Sequence, residues 1–179
     1  MSGGSFDALF DEFRETAFRY EARHSYNVGG AEAERLTAYR EHRPRPERSV
    51  RTSPWLARVA RTTADGKRWS RLRVVDTPLT DYQEFQLFSG TYLESAAVGD
   101  ETRILDRALT GAAAEEPDFW LFDGARAIVL DYTDEGAFAG WREVTDRATL
   151  QLYRDIAEHL FDRAESLAAF LAARERTVA

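Results

Sequence analysis

Arg71 and Arg73 stand two residues apart in the run RLRVV. On an extended chain residues i and i+2 share a face, so their guanidinium groups would form a fixed pair of forked donors suited to a carboxylate or phosphate. Thr80, Asp81 and Tyr82 follow just beyond that strand, where open α/β sheets take ligands. A second group lies in DFWLFD, whose alternation sets Asp118 beside Trp120, an acceptor for an arginine next to an aromatic wall. A third is FRYE, where Arg19 and Glu21 could join the same buried charge network. The expected ligand-binding residues are therefore Arg71, Arg73, Asp81, Tyr82, Asp118 and Trp120, with Arg19, Glu21, Arg103 and Asp123 in support. Arg71 and Arg73 would be the anion donors, Tyr82 and Trp120 the walls, and Asp81 and Asp118 the groups that hold the arginines.

Plainer roles compete with these. Asp123 precedes Gly124 and suits the turn of a hairpin. The sheet arginines could merely neutralise acidic neighbours on a solvated face, and Arg19 could complement the carboxyl end of a helix.

The chain has no cysteine and only His24, His42 and His159, which removes thiolate metal sites and cysteine nucleophiles. No glycine-rich dinucleotide loop, Walker lysine loop, HExxH or GxSxG is present. Hence no catalytic residue, metal or cofactor is expected. His24 is a base without an identified nucleophile, so an enzyme of secondary metabolism or phosphoester chemistry, using Asp118, Asp81 or His24, is the alternative.

The chain has 179 residues, 24 basic and 31 acidic side chains and a formal net charge of −7. Such a length supports one core without staples, and the acidic balance argues against broad nucleic-acid binding. Lys67 is the only lysine, a bias that a GC-rich genome explains. No apolar run suits a membrane span, and the start shows no basic stretch followed by an apolar one, so a cytoplasmic protein is expected.

Elements must position these residues. Residues 6–21 carry Phe6, Leu9, Phe10, Phe13, Ala17 and Tyr20 at helical spacing, which predicts an amphipathic helix. A second helix is predicted over 31–41, a surface loop over 42–52, and a helix from Ser53-Pro54 to Asp65-Gly66. Residues 67–76 switch to a period of two, with Leu72 and Val74 on one face and Trp69, Arg71, Arg73 and Val75 on the other, and form the expected central strand. Residues 82–88 fit a helix or a strand, 92–98 a helix and 101–105 a second strand. Three runs at 118–123, 126–132 and 137–144 form a meander. A stripe over 146–173, capped by Thr145, predicts one long helix with Phe161 and Phe170 at its border, where a second copy of the chain could cover them. The expected fold is one α/β or α+β domain over 1–179, with a mixed, roughly five-stranded sheet between N-terminal helices and that long helix.

FRYE at 18–21, RLRVVDTPLTDYQEF at 71–85, VGDETRIL at 98–105 and DFWLFDG at 118–124 resemble, in order and spacing, an actinobacterial family, domain of unknown function 6879. The resemblance covers most of residues 6–144 and leaves the terminal helix outside. It implies a role beside helix-turn-helix regulators and no particular reaction. The function expected is thus a non-enzymatic cytoplasmic accessory protein that binds a small anionic ligand or a protein partner. A protein-interaction module working through the terminal helix, self-association included, is the third reading.

Overall fold

Three backbone amides at the start of the chain decide its first strand. In the computed structural model, which describes residues 6–178 (side chains through 174), the amides of Arg14, Glu15 and Thr16 donate to the Asp123 carboxylate at 2.8–2.9 Å. A helix needs those amides for its own ladder, and here a side chain takes them. The predicted helix over 6–21 therefore stops early, as a turn at Phe6–Ala8 and a short α1 at Leu9–Glu12, and the chain continues as β1, Thr16–Glu21. Thr16, Phe18 and Tyr20 are β-branched or aromatic at period two, which suits a pleated surface.

β1 becomes the middle strand. Among the described residues the sheet has seven strands which, numbered along the chain, lie in the order β6-β5-β4-β1-β2-β3-β7. β2 (Arg68–Val75) and β3 (Asp100–Asp106) run parallel to β1, each reached through helices: α2 (Gly30–Arg40) and α3 (Pro54–Ala64), then α4 (Asp81–Phe88) and α5 (Thr91–Ala96). On the other side of β1 the predicted meander is present as β4 (Phe119–Phe122), β5 (Arg126–Tyr132) and β6 (Phe138–Glu143), all antiparallel. The class is mixed α/β as expected, with two strands more than the five predicted: β1 and the two-residue β7, Glu165–Ser166.

Local chemistry accounts for several boundaries. Ser53 caps α3 and Pro54 opens it. Thr80 and Gln83 form a reciprocal capping box, which makes 81–88 helical rather than extended. Asp123 and Gly124 both have positive φ, 52° and 60°, the geometry a two-residue hairpin turn demands.

The long terminal helix is not continuous. Asp146, not Thr145, caps α6 (Arg147–Asp155), a π-helical stretch follows at Ile156–Leu160, and α7 (Phe161–Arg163) ends where Ala164 turns extended. β7 then pairs with the edge of β3 before α8 (Leu167–Val178) begins. The reason is packing on two surfaces. Tyr153, Ile156 and Leu160 cover the core formed by Phe18, Tyr20, Leu72 and Phe119, whereas Leu167 and Phe170 fill a separate core with Val75, Leu87, Tyr92 and Ile104. One straight rod cannot do both. Phe170 is covered within the chain, at 5% exposed, and Phe161 is half-buried, with Arg103 over its ring at 4.5 Å.

The opposite sheet face carries Ala17, Trp69, Trp120 and Phe122, packed with Phe10, Phe13 and Val59. Toward the carboxyl ends of β1 and β2 that face turns from aromatic to charged.

Candidate functional site

Alternation along β1 and β2 places Arg19 and Glu21 beside Arg71 and Arg73, in parallel register Arg19↔Arg71 and Glu21↔Arg73. Three guanidinium groups side by side would repel, so each must find partners. Arg19 Nη2 donates to Asp118 Oδ2 at 2.6 Å, and Arg71 donates to Glu21 at 2.6 Å and to Asp100 at 3.2 Å. Arg73, with no exposed surface, donates to Gln86 Oε1 at 2.9 Å and to the carbonyls of Glu21, Arg23 and Val74.

The carboxylates are equally committed. Asp118 also accepts the Ala22 amide at 2.9 Å and the Tyr26 hydroxyl at 2.6 Å. Glu21 accepts Gln86 Nε2 at 3.0 Å and the Tyr92 hydroxyl at 3.2 Å. Burial alone would push Glu21 up, but Arg71, Arg73 and Arg19 outweigh it and hold its pKa at about 2. Burial pushes Tyr26, Tyr82 and Tyr92 well above the usual tyrosine value, and Tyr132 to about 12. These phenols stay neutral donors and offer no phenolate.

Above this floor lies a cavity of about 740 Å³. Arg19, Glu21 and Arg71 form its base, with Tyr26, Tyr82 and Tyr92 around them, while Phe6, Phe10, Trp55 and Trp120, joined by Leu130, form an aromatic side. Its size and mixture of rings with a few polar groups are those of a small-molecule site. The segment 42–52, expected as a plain surface loop, supplies part of the wall through Pro46, Glu47 and Arg48. Arg35 of α2 fastens this strap by donating to the Pro46 carbonyl and, at 2.8 and 3.1 Å, to Glu94. Arg48 reaches the Thr91 carbonyl at 3.1 Å and Glu94 at 3.3 Å. Another closure comes from the β5–β6 turn, where the Asn27 amide donates to the Gly136 carbonyl at 3.0 Å. Gly136 has φ +83°, and an added Cβ would stand 3.3 Å from that amide nitrogen, so only glycine fits easily.

Of the residues expected from sequence, Arg71, Tyr82, Trp120, Arg19 and Glu21 line the cavity. Arg73 and Asp118 lie in the layer that holds them. Asp118 secures Arg19 rather than Arg71 or Arg73. Asp81 is on the surface, paired with Arg40 at 2.5 Å, and holds no sheet arginine. Arg103 is on the opposite sheet face, bound to Glu101 at 2.9 Å, and Asp123 anchors the start of β1. Sequence reading did not single out Arg35, Arg48, Glu32 and Trp55. They sit on helices and a proline-flanked strap whose position over the sheet follows only from the crossover after β1.

His24 does meet a carboxylate: its Nδ1 is 2.8 Å from Asp76 Oδ2. Asp76 also accepts Arg107 at 2.7 Å and Gln83 at 2.6 Å, and these bonds overcome its burial and hold it at about 2. The pair is outside the cavity lining, and the His24 side chain is 66% exposed. Among the described residues no group of three or more His, Asp or Glu is placed to hold a metal ion, and no helix is long and apolar enough to cross a membrane.

No curated protein and no solved structure matches the chain. A family model does match, over residues 4–172, and so takes in the sheet, α6, α7 and the first half of α8. The chain belongs to the family described as Domain of unknown function (DUF6879).

Proposed function

We propose that this protein is a non-catalytic, cytoplasmic binding protein for a small molecule with an anionic group and an aromatic or apolar body. The observation that carries this is the cavity of about 740 Å³ with arginines at its base and on its wall, Arg19 and Arg71 below and Arg48 beside them, and aromatic rings along its side. Arginines locked by carboxylates and carbonyls are pre-organised, so a ligand need not order them. The tyrosines offer no phenolate, and Glu21, held at about 2 by its arginines, offers no general acid near neutral pH. An accessory role beside a helix-turn-helix regulator is the setting we propose for such binding, on the family resemblance.

Thermal unfolding with benzoate, indole-3-propionate and inorganic phosphate tests the reading, because a ligand that binds only the folded state raises the melting temperature with its concentration. At least one of these anions is expected to do so. Ala31→Trp, at the exposed rim of the cavity, should abolish the response. No stabilisation by any of the three, or an equal response in the variant, would refute it.

A further inference from the structure

Charges around the cavity are not evenly matched. On the sheet, Arg19, Arg71 and Arg73 face Glu21, Asp100 and Asp118, so the floor as a whole is neutral. Near the strap, Arg35 and Arg48 share the single carboxylate of Glu94. Arg35 holds it with two good bonds, at 2.8 and 3.1 Å. Arg48 is left with contacts of 3.1–3.4 Å to the Thr91 carbonyl, Glu94 and the Ser95 hydroxyl, long for charge-assisted bonds. Burial draws the Arg48 pKa down despite Glu94, as befits a guanidinium short of compensation.

Glu32 is the converse case. It lines the same cavity and accepts the Tyr82 hydroxyl at 2.6 Å, yet it is in no ion pair within 4.0 Å among the described residues. Glu32 and Arg35 are three apart on α2, which brings their Cβ atoms to about 5–6 Å. The under-compensated cation and the unpaired carboxylate thus both border Arg35. Trp55 and Trp120, with ring centroids 5.7 Å apart, line the same space.

A ligand carrying only an anion would satisfy Arg48 and leave Glu32 unpaired. We infer that the cavity takes a zwitterion of the amino-acid type with an aromatic body, its carboxylate on Arg48, its ammonium on Glu32 and its ring against Trp55 and Trp120. This rests on the cavity reading above and narrows it.

Isothermal titration of the full chain with L-tryptophan, indole-3-propionate, which lacks the ammonium, and tryptamine, which lacks the carboxylate, separates the possibilities. L-tryptophan should bind at least tenfold tighter than either analogue. Arg48→Ala should bring L-tryptophan down to the affinity of tryptamine, and Glu32→Gln to that of indole-3-propionate, with circular dichroism unchanged in both. If indole-3-propionate binds as tightly as L-tryptophan, the zwitterion assignment is overturned while the anion reading stands. If none of the three binds, the zwitterion assignment also falls, and the anion reading falls with it when benzoate and phosphate fail too.

Discussion

Removing the guanidinium of Arg73, a side chain with no exposed surface, would take a donor from Gln86 and from the carbonyls of Glu21, Arg23 and Val74. Each unsatisfied acceptor costs on the order of 1–3 kcal/mol. Arg73→Ala is therefore expected to lower the unfolding free energy by about 3 kcal/mol or more, which urea denaturation measures; a loss below about 1 kcal/mol would mean that neighbours or water replace it. From sequence alone Arg73 is an anion donor on the same footing as Arg71. Its alternation was readable, but the depth at which α4 buries it was not, because Gln86 lies on a helix whose very existence the pattern of 82–88 left open.

At the scale of elements, a side chain can decide what a backbone becomes. Asp123 satisfies three amides at the start of β1, more than 100 residues earlier in the chain. Asp123→Ala should destabilise the fold by about 2 kcal/mol, visible as a lower urea midpoint, while the response to cavity ligands persists; loss of that response at full stability would return Asp123 to the site. The strands and helices whose signals are local were legible: β2 by its period of two, α3 by Ser53-Pro54, the meander by its turns. β1 was not, because Phe6, Leu9, Phe10 and Phe13 imposed a helical period that Thr16, Phe18 and Tyr20 do not share. The terminal stripe misled for a related reason: one periodicity ran across residues that pack against two different cores.

For the whole molecule, the charged layer under the cavity ties stability to pH. Glu21 and Asp76 have folded pKa values of about 2, below the roughly 4 of carboxyls in an unfolded chain. Groups depressed in this way stabilise the fold above the unfolded value, and the contribution is lost as pH falls through the folded one. The unfolding free energy should thus decline between about pH 4.5 and 2, and Glu21→Gln, less stable at pH 7, should show a shallower decline over that interval. Parallel slopes for the two proteins would mean that Glu21 is not held by its arginines. The sequence suggested such a network from Arg19, Glu21, Arg71 and Asp118, but not its closure by Asp100, Gln86 and the tyrosines, which arrive from β3, α4, α5 and the loop after β1.

The indoles of Trp55, Trp69 and Trp120 form a triangle with centroid separations of 5.2, 5.7 and 6.0 Å. Indole emission shifts with the polarity and contacts of its surroundings, so the fluorescence of this cluster responds to whatever touches it. Two of the three border the cavity. A molecule entering it would change the surroundings of those two indoles, giving the protein an intrinsic optical reporter of occupancy that needs no label.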